Sequence, residues 1–93
     1  MNKNVSELYN RVLLVISEEF DIPANILLHS NDAECVQART VLYVFLNKKG
    51  FSDKEIAACT GVHRESINRS RNRFREDSST WLVKLCLEHL KHL

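Results

Sequence analysis

Between residues 52 and 74 the chain places a capping signal, a glycine and an aliphatic residue at intervals that few backbone paths satisfy. Ser52 and Glu55 form an S-x-x-E pattern, in which the two residues reciprocally satisfy amides orphaned by a helix start. Ile56 and Ala57 then supply an inward face, and Gly61 stops the helix, because the left-handed conformation that ends a helix costs glycine least. Val62 follows as a small apolar plug, and a second helix is predicted from about Arg64. Ala57, Gly61 four residues on and Ile67 six after that have the spacing of a tight elbow. It needs a small side chain where the helices touch, a glycine at the turn and an aliphatic to lock the second helix onto the first. The prediction is a helix-turn-helix over residues 53–75.

Charge gathers on the same stretch. From His63 to Arg75 there are five arginines (Arg64, Arg69, Arg71, Arg73, Arg75) and one acid, Glu65, a formal +4 with histidine neutral. The whole chain is +1, so the remainder stands near −3. Positive charge is therefore concentrated where a groove-entering helix needs it. A pI near 7.8 argues against indiscriminate coating of nucleic acid.

Ninety-three residues suit a single domain of modest size, and 44% hydrophobic content is enough for a core. One proline, two glycines and helix-start signals between apolar periodic runs predict an all-α, compact multi-helix domain. Cys35, Cys59 and Cys86 are odd in number and sit in helix-like contexts, which suits free thiols in a reducing compartment. The first residues lack a signal-peptide apolar region and no run approaches a membrane span. A cytoplasmic protein with no membrane contact is expected.

Upstream, a first helix is predicted over 4–19, with Asn4 and Glu7 as its cap and Val5, Leu8, Val12, Val15 and Ile16 as its stripe, widened by Leu13 and Leu14. Asp21 is expected to cap a short helix over 24–28, with Pro23 early in it and Ile26 and Leu27 inward. Asn31 is expected to cap a third helix over 32–47, the most apolar, carrying Val36, Val41, Leu42, Val44, Phe45 and Leu46. Lys48 and Lys49 complement the helix dipole there and Gly50 terminates it. Ser79 is expected to cap a last helix over 81–93, with Trp81 in the core or at an interface. Its apolar positions exceed one face, so a homodimer or a partner protein docked on 81–93 is expected.

The order of these segments resembles the C-terminal DNA-binding domain of the bacterial chromosomal replication initiator DnaA, whose fold is similar to that of the Trp repressor. The parallel covers residues 12–74: ISEEFDI, then Ala38-Arg39 opening TVLYVFL, then FSDKEIA, then the elbow, with Ser66-Ile67 matching the hydroxyl-plus-aliphatic pair of the family signature. In that family the signature helix reads the major groove, and a basic loop before the Ala-Arg helix reaches the minor groove. Here the signature's Asp-His-Thr is replaced by His63-Arg64-Glu65 and the basic loop by Asn31-Asp32-Ala33-Glu34. No G-x-x-x-x-G-K-[ST] motif occurs. The resemblance implies the fold and a DNA-binding surface; it does not extend to origin recognition.

With Ile67 inward, helical geometry places Phe74 on the same side and Glu65, Asn68, Arg69 and Asn72 opposite. These are types that pair with cytosine, adenine and guanine edges in a major groove. Arg64, Arg73 and Arg75 fall on the flanks, where phosphates would lie, and Ser66 can donate to phosphate beside backbone amides. Arg71 falls nearer the core, where its stem covers apolar surface. Lys48 and Lys49 are further phosphate candidates. Arg39 reads as an ion-pair partner of Glu34 or Asp32, while the resemblance implies a minor DNA contact.

Catalysis finds no constellation: His63, Glu65 and Ser66 diverge by about 100° per residue around one helix. His89 and His92 share spacing but lack a third ligand, so no metal and no cofactor are expected. Two functions remain. One is a sequence-specific double-stranded DNA-binding module, in transcription regulation or as a replication or mobile-element accessory. The other is a helical protein-interaction module that uses the C-terminal helix without DNA.

Overall fold

The computed structural model describes residues 3–75 and 80–93, with side chains from Ser6 onward. Among these it is all-α: α1 Lys3–Phe20, α2 Ala24–His29, α3 Ala33–Lys48, α4 Asp53–Thr60, α5 Arg64–Arg73 and α6 Trp81–Leu90.

The middle helix explains the arrangement. Residues 41–46 of α3 are buried one after another, and a helix apolar all round must be covered on every side. Every other helix packs against it. On α1 the buried positions are Tyr9, Val12, Ile16 and Phe20, a stripe of helical period. On α6 they are Val83, Cys86, Leu87 and Leu90. The Cα radius of gyration, 12.0 Å, matches the roughly 12 Å expected when a chain of this length closes around one core.

Several local expectations are corrected. The first helix already includes Lys3, so Asn4 lies inside it, and the side chain of Val5 lies outside the described ones. Leu14 is exposed; it is about 200° around the helix from both Val12 and Ile16, which face the core. Asp21 does not cap α2. It takes a left-handed conformation, φ 54°, that closes α1, with Ile22 N donating to Ser17 O at 3.1 Å and Asp21 N to Glu18 O at 3.3 Å. Pro23 holds the N-cap position of α2. Of the two inward residues expected there, Leu27 is buried and Ile26 exposed, because a helix of six residues presents only one narrow face to α3.

Asp32, not Asn31, is the N-cap of α3, without a side-chain bond. Val36 is 42% exposed, since α3 turns Cys35 and Ala38 inward on that turn. Gly50, φ 101°, ends α3 in the same manner as Asp21 ends α1: Phe51 N reaches Leu46 O at 3.0 Å and Gly50 N reaches Asn47 O at 3.0 Å. The last helix ends at Leu90. Its start is capped by Thr80, whose Oγ1 accepts from Val83 N at 3.3 Å; Ser79 lies outside the described residues. Trp81 is 74% exposed, so it is no part of the core.

Among the described residues no helix is long and apolar enough to cross a membrane, and no buried side-chain nitrogen or oxygen lacks a hydrogen-bond partner.

Candidate nucleic-acid interface

The start of α4 forms as the capping box requires. Ser52 Oγ accepts from Glu55 N at 3.1 Å, and Glu55 Oε1 accepts from Ser52 N at 3.1 Å. At the other end Gly61 is left-handed, φ 75°, and its amide donates to Ala57 O at 2.9 Å. Thr60 completes the turn: its buried hydroxyl donates to Ile56 O at 2.9 Å and accepts from Val62 N at 3.1 Å. Ile56 and Ile67 are both fully buried and join α4 and α5 to the core, while Val62 and Phe74 are half-buried against it.

Ile67 is the one buried residue of α5, which leaves little apolar area to dock ten residues. A polar clamp supplements it. Arg71 Nε donates to Asp53 Oδ1 at 2.9 Å and Nη2 to Oδ2 at 2.8 Å, a bidentate pair between α5 and the first residue of α4. Arg71 Nη1 also reaches Asn47 Oδ1 at 3.5 Å. Beyond the stem position expected for Arg71 near the core, its guanidinium is ion-paired. The Arg71 hydrogen bonds hold the Asp53 carboxyl below the usual carboxylate range, and Asp53 in turn raises Arg71.

The clamp extends outward. Asn68 Nδ2 donates to Asp53 Oδ2 at 3.1 Å, and Asn72 Nδ2 donates to Asn68 Oδ1 at 3.0 Å. Asn68 and Asn72 nevertheless stay exposed, as do Glu65 and Arg69. Together with Arg64, Arg73, Ser52, Asp53 and Lys54 these four line an open depression of about 730 Å³ between the start of α4 and the outer face of α5. Among the described residues, Arg64, Arg69 and Arg73 hydrogen-bond to no carboxylate. Lys54 and Asp53 are lining residues that sequence reasoning missed, because nothing in their local pattern tells which face of α4 borders α5.

No family model, curated protein or solved structure matches this chain. The two helix starts differ. That of α4 is closed by its capping box, whereas His63, the N-cap of α5, makes no side-chain cap, which leaves the first amides of α5 open to an anion.

The remaining candidates are dispersed. Ser66 lies on the opposite flank of α5, in a smaller cleft of about 260 Å³ shared with Arg39, Tyr43 and Ser70. Arg75 is exposed but folds back on the carbonyls of Asn72, at 3.0 Å, and Phe74, at 2.9 Å. Lys48 and Lys49 are exposed at the end of α3 and do not line the depression; Lys49 Nζ lies 5.4 Å from the centre of the Phe45 ring. Arg39 donates to Leu27 O at 2.9 Å and Ser30 O at 2.6 Å. It ties down the end of α2, and the expected pairing with Glu34 or Asp32 is corrected, because those acids lie on the solvent side of the turn.

The reactive groups elsewhere are quiet. Burial pushes the Cys86 thiol and the Tyr9 hydroxyl each up to about 12, and raises Cys59 and Tyr43. Cys35, Cys59 and Cys86 form no disulfide with one another. His89 pairs with Glu19 of α1 rather than with His92, and no group of three metal-ligating side chains occurs among the described residues.

Proposed function

We propose that this chain is a double-stranded DNA-binding module that lays α5 in the major groove, in the manner of a helix-turn-helix. What carries the reading is the outer face of α5: Glu65, Asn68, Arg69 and Asn72 are exposed along one stripe, while Ile67 seats the opposite side in the core. Arg64, Arg73 and Lys54 at the edges of the depression supply cations for phosphate. The likeness to the DnaA C-terminal domain supports the same reading, with a role in bacterial transcription regulation, or as a cytoplasmic replication or mobile-element accessory.

The test is electrophoretic retention of random-sequence duplex at two salt concentrations. With about three phosphates neutralised, log affinity should fall against log salt with a slope of about −2.7, about 0.9 per phosphate. No retention at low salt would sink the proposal.

One observation favours a second reading, a protein-interaction module. Trp81 stands 74% exposed at the start of α6, with Leu82 half-buried beside it, and large aromatics so placed serve as interface anchors. A homodimer through residues 81–93 would show as a concentration-dependent blue shift of tryptophan emission without any duplex retained.

A further inference from the structure

We propose that Asp53 is a specificity-determining residue of this surface, withholding Arg71 from phosphate and setting the orientation in which Asn68 faces the bases. The inference rests on the double-stranded DNA reading above and assigns a role to a residue of α4 that touches no base itself.

The first half concerns charge. Arg69, Arg71 and Arg73 lie within five residues on α5. A guanidinium that reaches a phosphate adds affinity to every sequence alike and so dilutes discrimination. Arg71 is kept from doing so, because Asp53 takes its Nε and Nη2 edge at 2.9 and 2.8 Å. Asp53 thus removes one indiscriminate contact and cancels its charge.

The second half concerns direction. A free asparagine amide can present its oxygen or its nitrogen toward a given side. An ionised carboxylate only accepts, so Asp53 admits the orientation that turns Asn68 Nδ2 toward it, at 3.1 Å. Asn72 then donates to Asn68 Oδ1 at 3.0 Å, and its own orientation is set in turn. Each bond uses one N–H or one lone pair. Asn68 keeps one donor and one acceptor, the pair that an adenine edge requires. Binding then needs no reorientation of either amide.

Asp53→Ala and the near-isosteric Asp53→Asn test both halves against wild type and Asn68→Ala, with circular dichroism as the check on folding. Duplexes selected by wild type from a random pool are compared with random duplexes across a salt series. In Asp53→Ala the freed Arg71 should tighten random-duplex binding and steepen the salt slope by about 0.9. Adding Arg71→Ala should restore the slope. The preference for selected over random duplex should fall roughly fivefold or more, the value of one bidentate base contact. In an Asn68→Ala background the loss from Asp53→Ala should shrink.

Without DNA, the side-chain amide NMR signals of Asn68 and Asn72 should move toward free-asparagine positions in Asp53→Ala. Wild type that binds no duplex overturns the DNA reading. Wild type that binds, while folded Asp53 variants keep the slope, the preference and the amide signals or weaken all duplexes equally, overturns this inference alone. Should Asp53→Ala not fold, Asp53→Asn carries the same comparisons.

Discussion

The guanidinium of Arg39 reaches back nine residues to the carbonyl of Ser30, at 2.6 Å, just beyond the last turn of α2. With the second bond, to Leu27 O at 2.9 Å, it satisfies two carbonyls that a helix of six residues cannot pair internally. Arg39→Ala should therefore cost about 1.5–3 kcal/mol of stability, the usual range for charged hydrogen bonds. The folded variant should bind random duplex within twofold of wild type. Urea unfolding and mobility shift check the two halves; unchanged stability with weakened binding would make Arg39 a DNA contact.

Asp53 gives a pH signature. Its carboxyl titrates lower in the folded protein, chiefly through the Arg71 hydrogen bonds. The stabilisation from this pair is then fully present above the unfolded carboxyl value of about 3.9. It is lost as pH falls through the folded value. Below about pH 4, wild type should lose stability more steeply than Asp53→Asn. At neutral pH the pair, partly screened at 16% and 24% side-chain exposure, is worth about 1 kcal/mol. Denaturant midpoints from pH 7 down to pH 2 for both proteins measure the difference, and parallel curves would show that the pair contributes nothing.

Gly61→Ala separates backbone strain from crowding. A Cβ built at Gly61 meets nothing within 4 Å, yet the residue sits at φ 75°. The expected cost is about 1 kcal/mol, from the left-handed conformation alone. Gly61→Asn should recover part of it, because asparagine tolerates that region. A thermal melt of the two variants decides it.

Arg69 and Arg73 should behave differently on DNA. Arg69→Ala should cost about 1–3 kcal/mol against one base position and leave mismatched duplex little changed, whereas Arg73→Ala should weaken all sequences similarly and flatten the salt slope. Equal losses on matched and mismatched duplex from Arg69→Ala would contradict its base-reading role.

Ile67 and Ile56 carry the junction of α4 and α5, both with no exposed surface. Ile67→Ala should cost about 2–5 kcal/mol through lost burial and the cavity left behind. Given how little else of α5 is apolar, amide exchange of α5 should accelerate before that of α3.

The start of α4 at Ser52 and the turns at Gly50 and Gly61 were legible because their bonds are local, whereas the caps expected at Asn4, Asp21 and Asn31 were not. The Ser52–Glu55 box spans three residues and the Gly61 turn spans four, so both follow from the chain's own stereochemistry wherever the segment sits. The apolar run 41–46 likewise required burial on all sides, and that put α3 at the centre. The outward stripe of α5 followed from a single inward isoleucine and the helical repeat.

Other outcomes waited on how the helices meet. Asp53 and Arg71 are 18 residues apart, and Arg39 lies 9 and 12 residues from the carbonyls it caps; such pairs exist only at particular packing distances and angles. Trp81 and Val36 have the hydropathy of core residues, yet α3 and α6 turn neighbouring positions inward and leave them in solvent. Periodicity says which residues share a face. Only the packed structure decides which face is covered, and here it also assigned Arg71 to the protein's own carboxylate.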